Sequence, residues 1–363
     1  MRIFQNSGLY PAYRHRLEAL RKHQRGYAEW MSAFLADRYG TAHYLQPVLQ
    51  GAANAFFTNG DDESAQRLWA KEQGLPNGQS LEAILLAQIE HHRTEIFYNL
   101  DPMRYGSDFV RKLPGSVRLS FAWRAAPSPG ADFSAYDLVL CNFPSILKSY
   151  ADRGWRARYF SPAHDPAMDR FAMQSERPVD VVFVGGYSRH HSRRAALLEA
   201  VADLAGDFEL RFHLDNSRMT RLAESPLGLL LPVKQHRRPR SIQSLALDPV
   251  FGLDLYAALG SAKIVLNGAI DMAGNDRGNM RCFEALGCGA LMLSDAGNYP
   301  KGMCDGESMV TYSSPAEAVR HIRALLGDPL RLKRIADSGH HMVATAYSKA
   351  EQWKAFVQLA AAA

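Results

Sequence analysis

Two neighbouring stretches of the chain decide its fold. Residues 261–267 read SAKIVLN, and residues 276–295 read DRGNMRCFEALGCGALMLSD. The apolar first stretch predicts a strand, and the polar residues that follow it predict a loop. A helix is expected from Asn279 to Leu286, closed by the glycines at 287 and 289, with a second strand after it. This order of strand, loop, helix and strand is typical of a unit with parallel strands.

The same alternation of strands and helices extends along the rest of the chain. The sequence predicts strands at residues 1–4, 53–57, 95–100, 116–122, 136–141, 156–160, 179–184, 208–214, 262–267 and 290–294. The near-continuous apolar run of residues 179–184 is expected of a strand that helices cover on both faces. The predicted fold class is therefore α/β, with helices on both faces of parallel sheets.

Residues 162–178 divide the chain, because they contain prolines and charges and show no periodicity. Such a segment predicts a hinge between two Rossmann-like domains, residues 1–161 and residues 179–345. Residues 346–363 are expected to form a last helix. Two domains of this kind are expected to face each other across a cleft, with ligands at the carboxyl ends of the strands.

The composition is that of a globular protein with a positive net charge. Of the 363 residues, 47% are apolar and 22% are charged, and the formal net charge is +5. A basic chain favours anionic partners such as nucleotide phosphates, an acidic glycan or an anionic membrane surface, and no nucleic acid is expected. The densest basic run, residues 234–240, is either part of such a surface or a solvated loop.

The sequence indicates a reduced, cytoplasmic protein, with peripheral contact at the inner face of the membrane as a further possibility. Residues 1–6 lack the apolar run of a secretory signal, and no stretch approaches about 20 apolar residues. The four cysteines, at positions 141, 282, 288 and 304, show no metal-ligand spacing.

The start of the helix at residues 279–286 has the features of a nucleotide site. Gly278 lets the backbone approach a ligand closely, and the free amides of the helix that follows suit a phosphate. Glu284 lies about one and a half turns into the helix on the side of Arg281 and Met280, where a carboxylate can accept hydrogen bonds from a ribose diol. The alternative is an ordinary Arg281–Glu284 pair on a solvated face. The apolar surroundings of Glu284 argue against that alternative, because a buried carboxylate needs a partner.

These motifs resemble a known family. Residues 263–267, 281–289 and 294–295 are similar to the donor domain of the CgeB-like (spore maturation protein) glycosyltransferases, which belong to the wider GT-B group 1 class. The strand and loop at 182–186 with Arg193 or Arg194, the strand at 136–140 and the hinge at 161–166 are similar to other parts of the family. The resemblance covers roughly residues 95–350 and rests on the order and spacing of these segments.

The resemblance implies a GT-B fold with a nucleotide-sugar in the second domain, an acceptor in the first, and a last helix that returns to the first. Retaining relatives carry a Glu-x7-Glu pair, which here becomes Asp276 and Glu284, so retention of the anomeric configuration is favoured over inversion. The shortened side chain of Asp276 departs from the pattern. The donor-binding residues that the sequence and the resemblance together predict are Gly185, Gly186, Arg193, Arg194, Gly278, Asn279, Met280, Arg281 and Glu284.

Several of these candidates have a structural alternative. Gly185-Gly186 either brings backbone amides to a diphosphate, with Arg189, Arg193 or Arg194 supplying charge, or forms a tight turn beside solvated arginines. An inverting enzyme needs a base on the acceptor side, and this base is sought among Asp101, His15, Asp61 and His164. Asp101 follows an apolar strand directly, although Asp101-Pro102 is also a common turn opening.

The function predicted is transfer of a sugar from a nucleotide-sugar to a glycan or lipid-linked acceptor, as in bacterial polysaccharide or lipopolysaccharide assembly. Because no Asp-x-Asp motif ends a strand, the diphosphate is expected to be stabilised by the Gly278-Asn279 helix end and an arginine, with no metal and no cofactor. Asp276, Asp101 and His164 are the catalytic candidates. The alternatives are a nucleotide-sugar epimerase of the same fold and a non-catalytic nucleotide- or glycan-binding protein.

Overall fold

The computed structural model describes residues 1–187, 192–229, 233, 236–268 and 273–363. The chain divides into two compact units. Unit 1 consists of Met1–Ala163 and Lys349–Ala363, and unit 2 is the continuous segment His164–Ser348. Each unit has its own sheet and its own hydrophobic core.

Unit 1 is built on a six-stranded parallel sheet. Its strands lie in the order β2-β1-β3-β4-β5-β6. They are β1 Ile3–Ser7, β2 Ala55–Asn59, β3 Ile96–Asn99, β4 Leu119–Trp123, β5 Leu138–Cys141 and β6 Ala157–Tyr159. The helices between them are α1 Arg14–Arg21, α2 Tyr27–Ala36, α3 Gln46–Leu49, α4 Glu63–Glu72, α5 Leu81–His91, α6 Ser107–Val110 and α7 Pro144–Ala151.

Unit 2 repeats this architecture with a second six-stranded parallel sheet, in the order β12-β11-β10-β7-β8-β9. Its strands are β7 Val179–Gly185, β8 Leu210–Leu214, β9 Ala246–Leu247, β10 Ala262–Leu266, β11 Leu291–Asp295 and β12 Val310–Tyr312. Its helices are α8 Asp169–Ala172, α9 Ser192–Ala202, α10 Arg218–Glu224, α11 Arg240–Leu245, α12 Gly252–Gly260, α13 Met280–Gly287, α14 Pro315–Leu326 and α15 Pro329–Ala346.

The central strands of unit 2 are buried on both faces, as their continuous apolar sequences require. Along β7, Val181 and Phe183 face the core formed with α9 and α14, whereas Val182 faces the core formed with α12 and α13. The predicted α/β fold with two Rossmann-like sheets is therefore confirmed. The segment predicted as a hinge contains α8, and the short strands β9 and β12 were not expected from the sequence.

The last helix, α16 (Lys349–Ala362), belongs to unit 1. Its Phe356 is fully buried in the core of that unit, 5.2 Å from the ring of Tyr98. The Lys349 ammonium group is 4% exposed and donates hydrogen bonds to the carbonyls of Thr41 (2.6 Å), Ala42 (3.2 Å) and Tyr44 (2.8 Å). The helix is thus fixed at both its apolar face and its first residue.

One glycine shows how closely α15 packs in unit 2. An added Cβ at Gly339 would lie 2.4 Å from the Ser308 carbonyl oxygen and 2.8 Å from Leu286 Cδ2. Helix propensity favours alanine over glycine by about 1 kcal/mol. The clash involves backbone, so a change of rotamer does not relieve it, and overpacking of this kind costs about 1–3 kcal/mol.

We therefore expect Gly339→Ala to lower the melting temperature, measured by circular dichroism. Gly206→Ala is the control, because a Cβ at Gly206 would meet no atom within 4 Å. An unchanged or higher melting temperature in Gly339→Ala would contradict this packing.

Candidate functional site

The carboxyl ends of β10 and β11 are joined by a polar network in unit 2. Asn267, directly after β10, donates from Nδ2 to Ser294 Oγ at 3.0 Å, and its carbonyl accepts from the Tyr312 hydroxyl at 2.7 Å. The Tyr299 hydroxyl also donates to Ser294 Oγ, at 2.7 Å. Asn279 donates to Asn267 Oδ1 at 3.3 Å. This network positions the start of α13 at the edge of the sheet.

The connection into α13 depends on a glycine. Gly278 has a φ of +123°, a conformation that other residues rarely adopt. Asn279, which follows it, makes no side-chain capping hydrogen bond to the first turn, and its Oδ1 instead accepts from Cys282 Sγ at 3.0 Å. The amides of the first turn therefore keep the polarity that favours an anion.

Glu284 and Arg281 form a buried ion pair on α13. Arg281 Nη1 lies 2.6 Å from Glu284 Oε2, and the two side chains are 17% and 3% exposed. Burial raises the pKa of the Glu284 carboxyl, and the Arg281 charge opposes that rise. Arg281 is the ionic partner that the described part of the chain supplies to Glu284. The pair therefore does not lie on a solvated face.

Positive charge from Arg281 extends to the carboxyl end of β8. There, burial lowers the pKa of His213, and the charges of Arg211 and Arg281 lower it further. The His213 ring is fixed by a 2.8 Å hydrogen bond between Nδ1 and the Asp248 carbonyl.

The predicted glycines end β7 beside this region. An added Cβ at Gly185 would lie 3.1 Å from the Phe183 ring, and one at Gly186 would lie 3.4 Å from Asp215 Oδ2. The Asp215 amide donates to the Gly185 carbonyl at 3.1 Å. The Phe183 ring thus favours a small residue at Gly185, whereas a Cβ at Gly186 would make an ordinary van der Waals contact. The predicted Arg189 lies outside the described residues.

A pocket of about 670 Å³ lies at the carboxyl ends of β10, β11 and β12 and contains three arginines, Arg193, Arg194 and Arg277. Arg193 is exposed at the start of α9, and Arg194 donates to the Gly268 carbonyl. Arg277 lies 2.6 Å from Asp295 and donates to the Gly274 carbonyl at 2.8 Å. Asp295 is the only acidic side chain among the described lining residues, so the pocket has an excess of positive charge.

The sequence interpretation missed the Arg277–Asp295 pair, although both residues lie within the stretch that decided the fold. Their adjacency arises because the connection after β10 returns to the carboxyl end of β11, which only the sheet topology shows. Glu284 and Arg281 do not line this pocket.

Asp276, the shortened partner in the Asp-x7-Glu pattern, is 8% exposed. It forms a backbone bridge with Asn298, and Asn298 Nδ2 lies 3.4 Å from Asp276 Oδ1. The carboxylate of Asp276 therefore contacts the Asn298 amide.

His164 is 2% exposed and lies beneath the end of α13. Its Nε2 is 2.8 Å from Asp169 Oδ1, and its Nδ1 is buried without a hydrogen-bond partner. An added Cβ at Gly287 would come within 2.9 Å of that Nδ1. Burial lowers the pKa of His164, so its imidazole is neutral near pH 7. These contacts describe a packed histidine within unit 2.

In unit 1, Asp101 and Asp61 lie on the two sides of the turn that follows β1. The Leu9 amide donates to Asp61 Oδ1 at 3.0 Å, and an added Cβ at Gly8 would lie 3.0 Å from Asp101 Oδ2. Burial raises the pKa of both carboxyl groups, and the Asp61 charge raises that of Asp101 further. His15, the other candidate of this unit, is exposed on α1.

The basic run at 234–240 is only partly described, since Lys234 and Gln235 lie outside the described residues. Arg238 is buried and binds Glu224 through Nε and Nη2, each at 2.6 Å. This arginine stabilises unit 2 and is not part of a solvated loop.

Two further properties concern the described residues as a whole. They contain no group of three or more His, Cys, Asp or Glu side chains that could hold a metal ion. None of the helices described here is both long enough and apolar enough to cross a membrane.

Comparisons with known proteins were made for both the sequence and the fold. Residues 191–358 match the family model described as Glycosyl transferase-like. No curated protein matches the sequence. The fold is similar to that of Anabaena Alr3699/HepE in complex with UDP and glucose, with a TM-score of 0.60, 13% identity and 100% coverage of both chains.

Two other solved structures are similar. One is a glycosyltransferase from Rickettsia africae, with a TM-score of 0.59, 10% identity, and coverage of 98% of this chain and 97% of that one. The other is sucrose-phosphate synthase from Thermosynechococcus elongatus, with a TM-score of 0.52, 12% identity and full coverage of both chains. At these identities the likeness concerns the fold alone. The chain thus combines the two-sheet α/β fold of GT-B glycosyltransferases with a glycosyl transferase-like sequence in residues 191–358.

Proposed function

We propose that this protein is a glycosyltransferase that takes its sugar from a nucleoside diphosphate sugar and transfers it to a hydroxyl group. The observation that carries the proposal is the buried Arg281–Glu284 pair, which lies one turn beyond a glycine-led helix start in the glycosyl transferase-like region. Burying an ionised pair costs desolvation free energy. A ligand that binds the Glu284 carboxylate would explain why the chain carries this pair. The solved structures of Anabaena HepE with UDP and with UDP-glucose support this class of donor.

The donor would be held by three groups of unit 2. Glu284 would accept hydrogen bonds from the ribose diol, with Arg281 keeping the carboxylate ionised and oriented. The Gly278–Met280 amides and Gly185-Gly186 would approach the diphosphate. Arg193 and Arg194, which line the pocket at the carboxyl ends of β10, β11 and β12, would supply positive charge to the diphosphate.

Such an arrangement suits the departure of a nucleoside diphosphate. Negative charge develops on the leaving phosphate oxygen when its bond to the anomeric carbon breaks. A helix start and the guanidinium group of Arg194, which is already held by the Gly268 carbonyl, would stabilise that charge with little reorganisation. The proposal therefore assigns this task to protein groups, with no metal required.

The acceptor site is proposed to lie in unit 1, at the carboxyl ends of β1, β2 and β3, where Asp101 is placed. We propose a glycan or lipid-linked acceptor of bacterial polysaccharide or lipopolysaccharide assembly, with peripheral membrane contact. The net charge of +5 supports an anionic acceptor or surface.

The proposal is tested by thermal unfolding with a panel of nucleoside diphosphates and nucleotide-sugars. A ligand at 100 times its dissociation constant adds about 2.7 kcal/mol of stability. Glu284→Gln keeps the side-chain shape but loses the charge, and a hydrogen bond to a charged group is worth about 1.5–3 kcal/mol. We expect one nucleotide to raise the melting temperature of the wild type and to bind roughly ten- to a hundredfold more weakly to Glu284→Gln.

Asp180→Asn is the matched control. Asp180 binds Lys263 at 2.6 Å at the opposite, amino-terminal edge of the same sheet, so its loss should lower stability without changing the ligand-induced shift. If no nucleotide shifts the wild type, the proposed function is wrong. If a nucleotide binds and no donor of the panel loses its sugar to any acceptor or to water, the protein is a nucleotide-binding protein instead.

A further inference from the structure

The whole net charge of the chain lies in one segment of unit 2. Residues 217–247, which run from the N-cap of α10 to the end of β9, contain five arginines, one lysine and one glutamate. The chain has 42 basic and 37 acidic residues, so 36 of each remain outside this segment. The rest of the chain is therefore neutral overall, and the attraction of the protein to a polyanion originates in this segment.

The single acidic side chain of the segment is used inside unit 2. Glu224 binds Arg238 through Nε and Nη2, each at 2.6 Å, and Arg238 is 7% exposed. Ala223 of α10 and Ile242 of α11 are fully buried. The segment is thus held from the inside by a neutral ion pair and by apolar side chains, and its remaining charges are not needed for that purpose.

Four further arginines of the segment reach solvent. Arg218, Arg221 and Arg240 are exposed, and Arg237 is half-buried. The ion pair that the described part of the segment forms includes none of these four. Lys234, which lies outside the described residues, adds another positive charge to the same stretch of sequence. The outer side of the segment therefore carries positive charge without a counterion from the described residues.

These arginines belong to one surface. The two that precede and begin α11 flank Arg238, whose backbone amide and guanidinium group both bind Glu224 near the end of α10. Arg218 and Arg221 are three residues apart on α10 and so share a face of that helix. We call this the basic surface, and it consists of the side chains of Arg218, Arg221, Arg237 and Arg240.

Exposed apolar side chains lie in the same segment. Met219 of α10 is 42% exposed, and Leu227, in the 3₁₀ turn Pro226–Leu229 that follows this helix, is 65% exposed. Leu247 at the end of β9 is 44% exposed. Exposed apolar side chains among several cations are typical of a surface that binds the headgroup region of an anionic bilayer.

The composition of the segment distinguishes a lipid surface from other polyanions. Single-stranded nucleic acids are bound largely by stacking of bases on aromatic side chains, and residues 217–247 contain no Phe, Tyr or Trp. A nucleic acid duplex or an acidic glycan would attract the arginines, but it offers no apolar phase in which Leu227 would be removed from water.

We propose that the basic surface of unit 2 binds the anionic phospholipid headgroups of a membrane, with Met219 and Leu227 entering the boundary between headgroups and acyl chains. This inference rests on the proposed function, whose peripheral membrane contact it assigns to one surface. Each arginine near an anionic bilayer strengthens binding about fivefold. Several arginines together therefore give reversible binding that salt weakens.

Sedimentation of the full chain with lipid vesicles tests this surface. The wild type should bind vesicles of phosphatidylcholine with about 30% phosphatidylglycerol, should not bind phosphatidylcholine alone, and should bind less as salt rises from about 0.05 to 0.5 M. Arg218→Gln/Arg221→Gln removes two charges worth about fivefold each, so its partition coefficient should fall about 25-fold. Arg237→Gln/Arg240→Gln should weaken binding as well, because these arginines lie on the same surface.

Lys22→Gln/Arg25→Gln is the matched control, because it removes the same two charges from exposed side chains of unit 1. It should bind the anionic vesicles as the wild type does. An equal loss in this control and in Arg218→Gln/Arg221→Gln would show that binding follows net charge, and it would overturn the inference. A wild type that does not bind the anionic vesicles would overturn it too.

Leu227→Gln tests whether the partner is a lipid. Loss of this side chain from the acyl boundary should weaken binding severalfold, and by a similar factor at low and high salt, because salt does not screen the apolar contribution. Leu330→Gln on α15, at a side chain that is 84% exposed, is the control and should bind like the wild type. Unchanged binding of Leu227→Gln would identify a hydrophilic polyanion as the partner and overturn the inference.

The nucleotide-induced thermal shift separates this inference from the proposed function. Arg218→Gln/Arg221→Gln should keep the shift of the wild type, since neither arginine belongs to the proposed donor site. A wild type that binds anionic vesicles without any nucleotide-induced shift would contradict the proposed function. A normal shift without vesicle binding would contradict the role of the basic surface alone.

Discussion

Replacement of Arg281 by methionine is expected to lower the free energy of unfolding by about 3–5 kcal/mol, because it leaves the buried Glu284 carboxylate without its counterion. Urea unfolding followed by circular dichroism measures this change. Tryptophan fluorescence would not suffice, since all five tryptophans, at positions 30, 69, 123, 155 and 353, lie in unit 1.

The effect should depend on pH in a definite direction. Burial already raises the pKa of Glu284, and loss of the Arg281 charge raises it further. A folded-state pKa above the unfolded value means that the folded state binds more protons, so stability falls as pH rises above about 4.3, the ordinary value for glutamate. The difference between Arg281→Met and the wild type should therefore be smaller at pH 4 than at pH 7.

The double variant Arg281→Met/Glu284→Leu separates stability from binding. Removing both charges often costs little, because the desolvation of the pair is removed as well. We expect this variant to regain most of the stability and to show no nucleotide-induced thermal shift. A double variant that still responds to nucleotide would place the donor elsewhere in the protein.

The second large effect is expected in unit 1, where Lys349→Met removes the donor to three buried carbonyl groups. A buried acceptor left without its partner costs about 1–3 kcal/mol. The total loss should be about 1–3 kcal/mol, because the Thr41 carbonyl still accepts from the Tyr44 amide and the Ala42 carbonyl from the Ala163 amide and Gln352, so the Tyr44 carbonyl bears most of the loss. Urea unfolding followed by tryptophan fluorescence measures it directly.

Lys354→Met on the same helix is the control. Lys354 is exposed and lies 3.7 Å from Glu351, and exposed pairs of this kind contribute less than about 1 kcal/mol. If the two variants lose the same stability, the three carbonyl contacts of Lys349 do not fix the helix.

The fold was predictable from the sequence because each central strand is a short apolar run bounded by turn residues. The helix α13 could be placed for the same reason, with Gly278 before it and Gly287 at its end. The short edge strands β9 and β12 have two and three residues, too few for any periodicity to appear. The break between α1 and α2 at residues 22–26 is equally hard to predict, because tertiary packing decides such breaks.

The site was predictable only where one short segment carries it. Arg281 and Glu284 are three residues apart on a helix, so their pairing follows from helix geometry. The contacts of Asp276 with Asn298, of Arg277 with Asp295 and of Asp61 with the β1 turn join residues that are distant in sequence. Their meeting depends on strand order, which the local pattern does not contain. The roles of these residues in binding and catalysis stay predictions.

The contacts of Lys349 also set an order in time. The ribosome releases the sheet of unit 1 first, but the carbonyls of Thr41, Ala42 and Tyr44 receive the Lys349 ammonium group only when α16 has been made. All of unit 2 is synthesised in between, which takes on the order of ten to forty seconds at about 5–20 residues per second. During that interval unit 1 still lacks its last helix, whereas unit 2 is a single continuous segment of the chain. A chaperone that binds early in synthesis would therefore bind the incomplete unit 1.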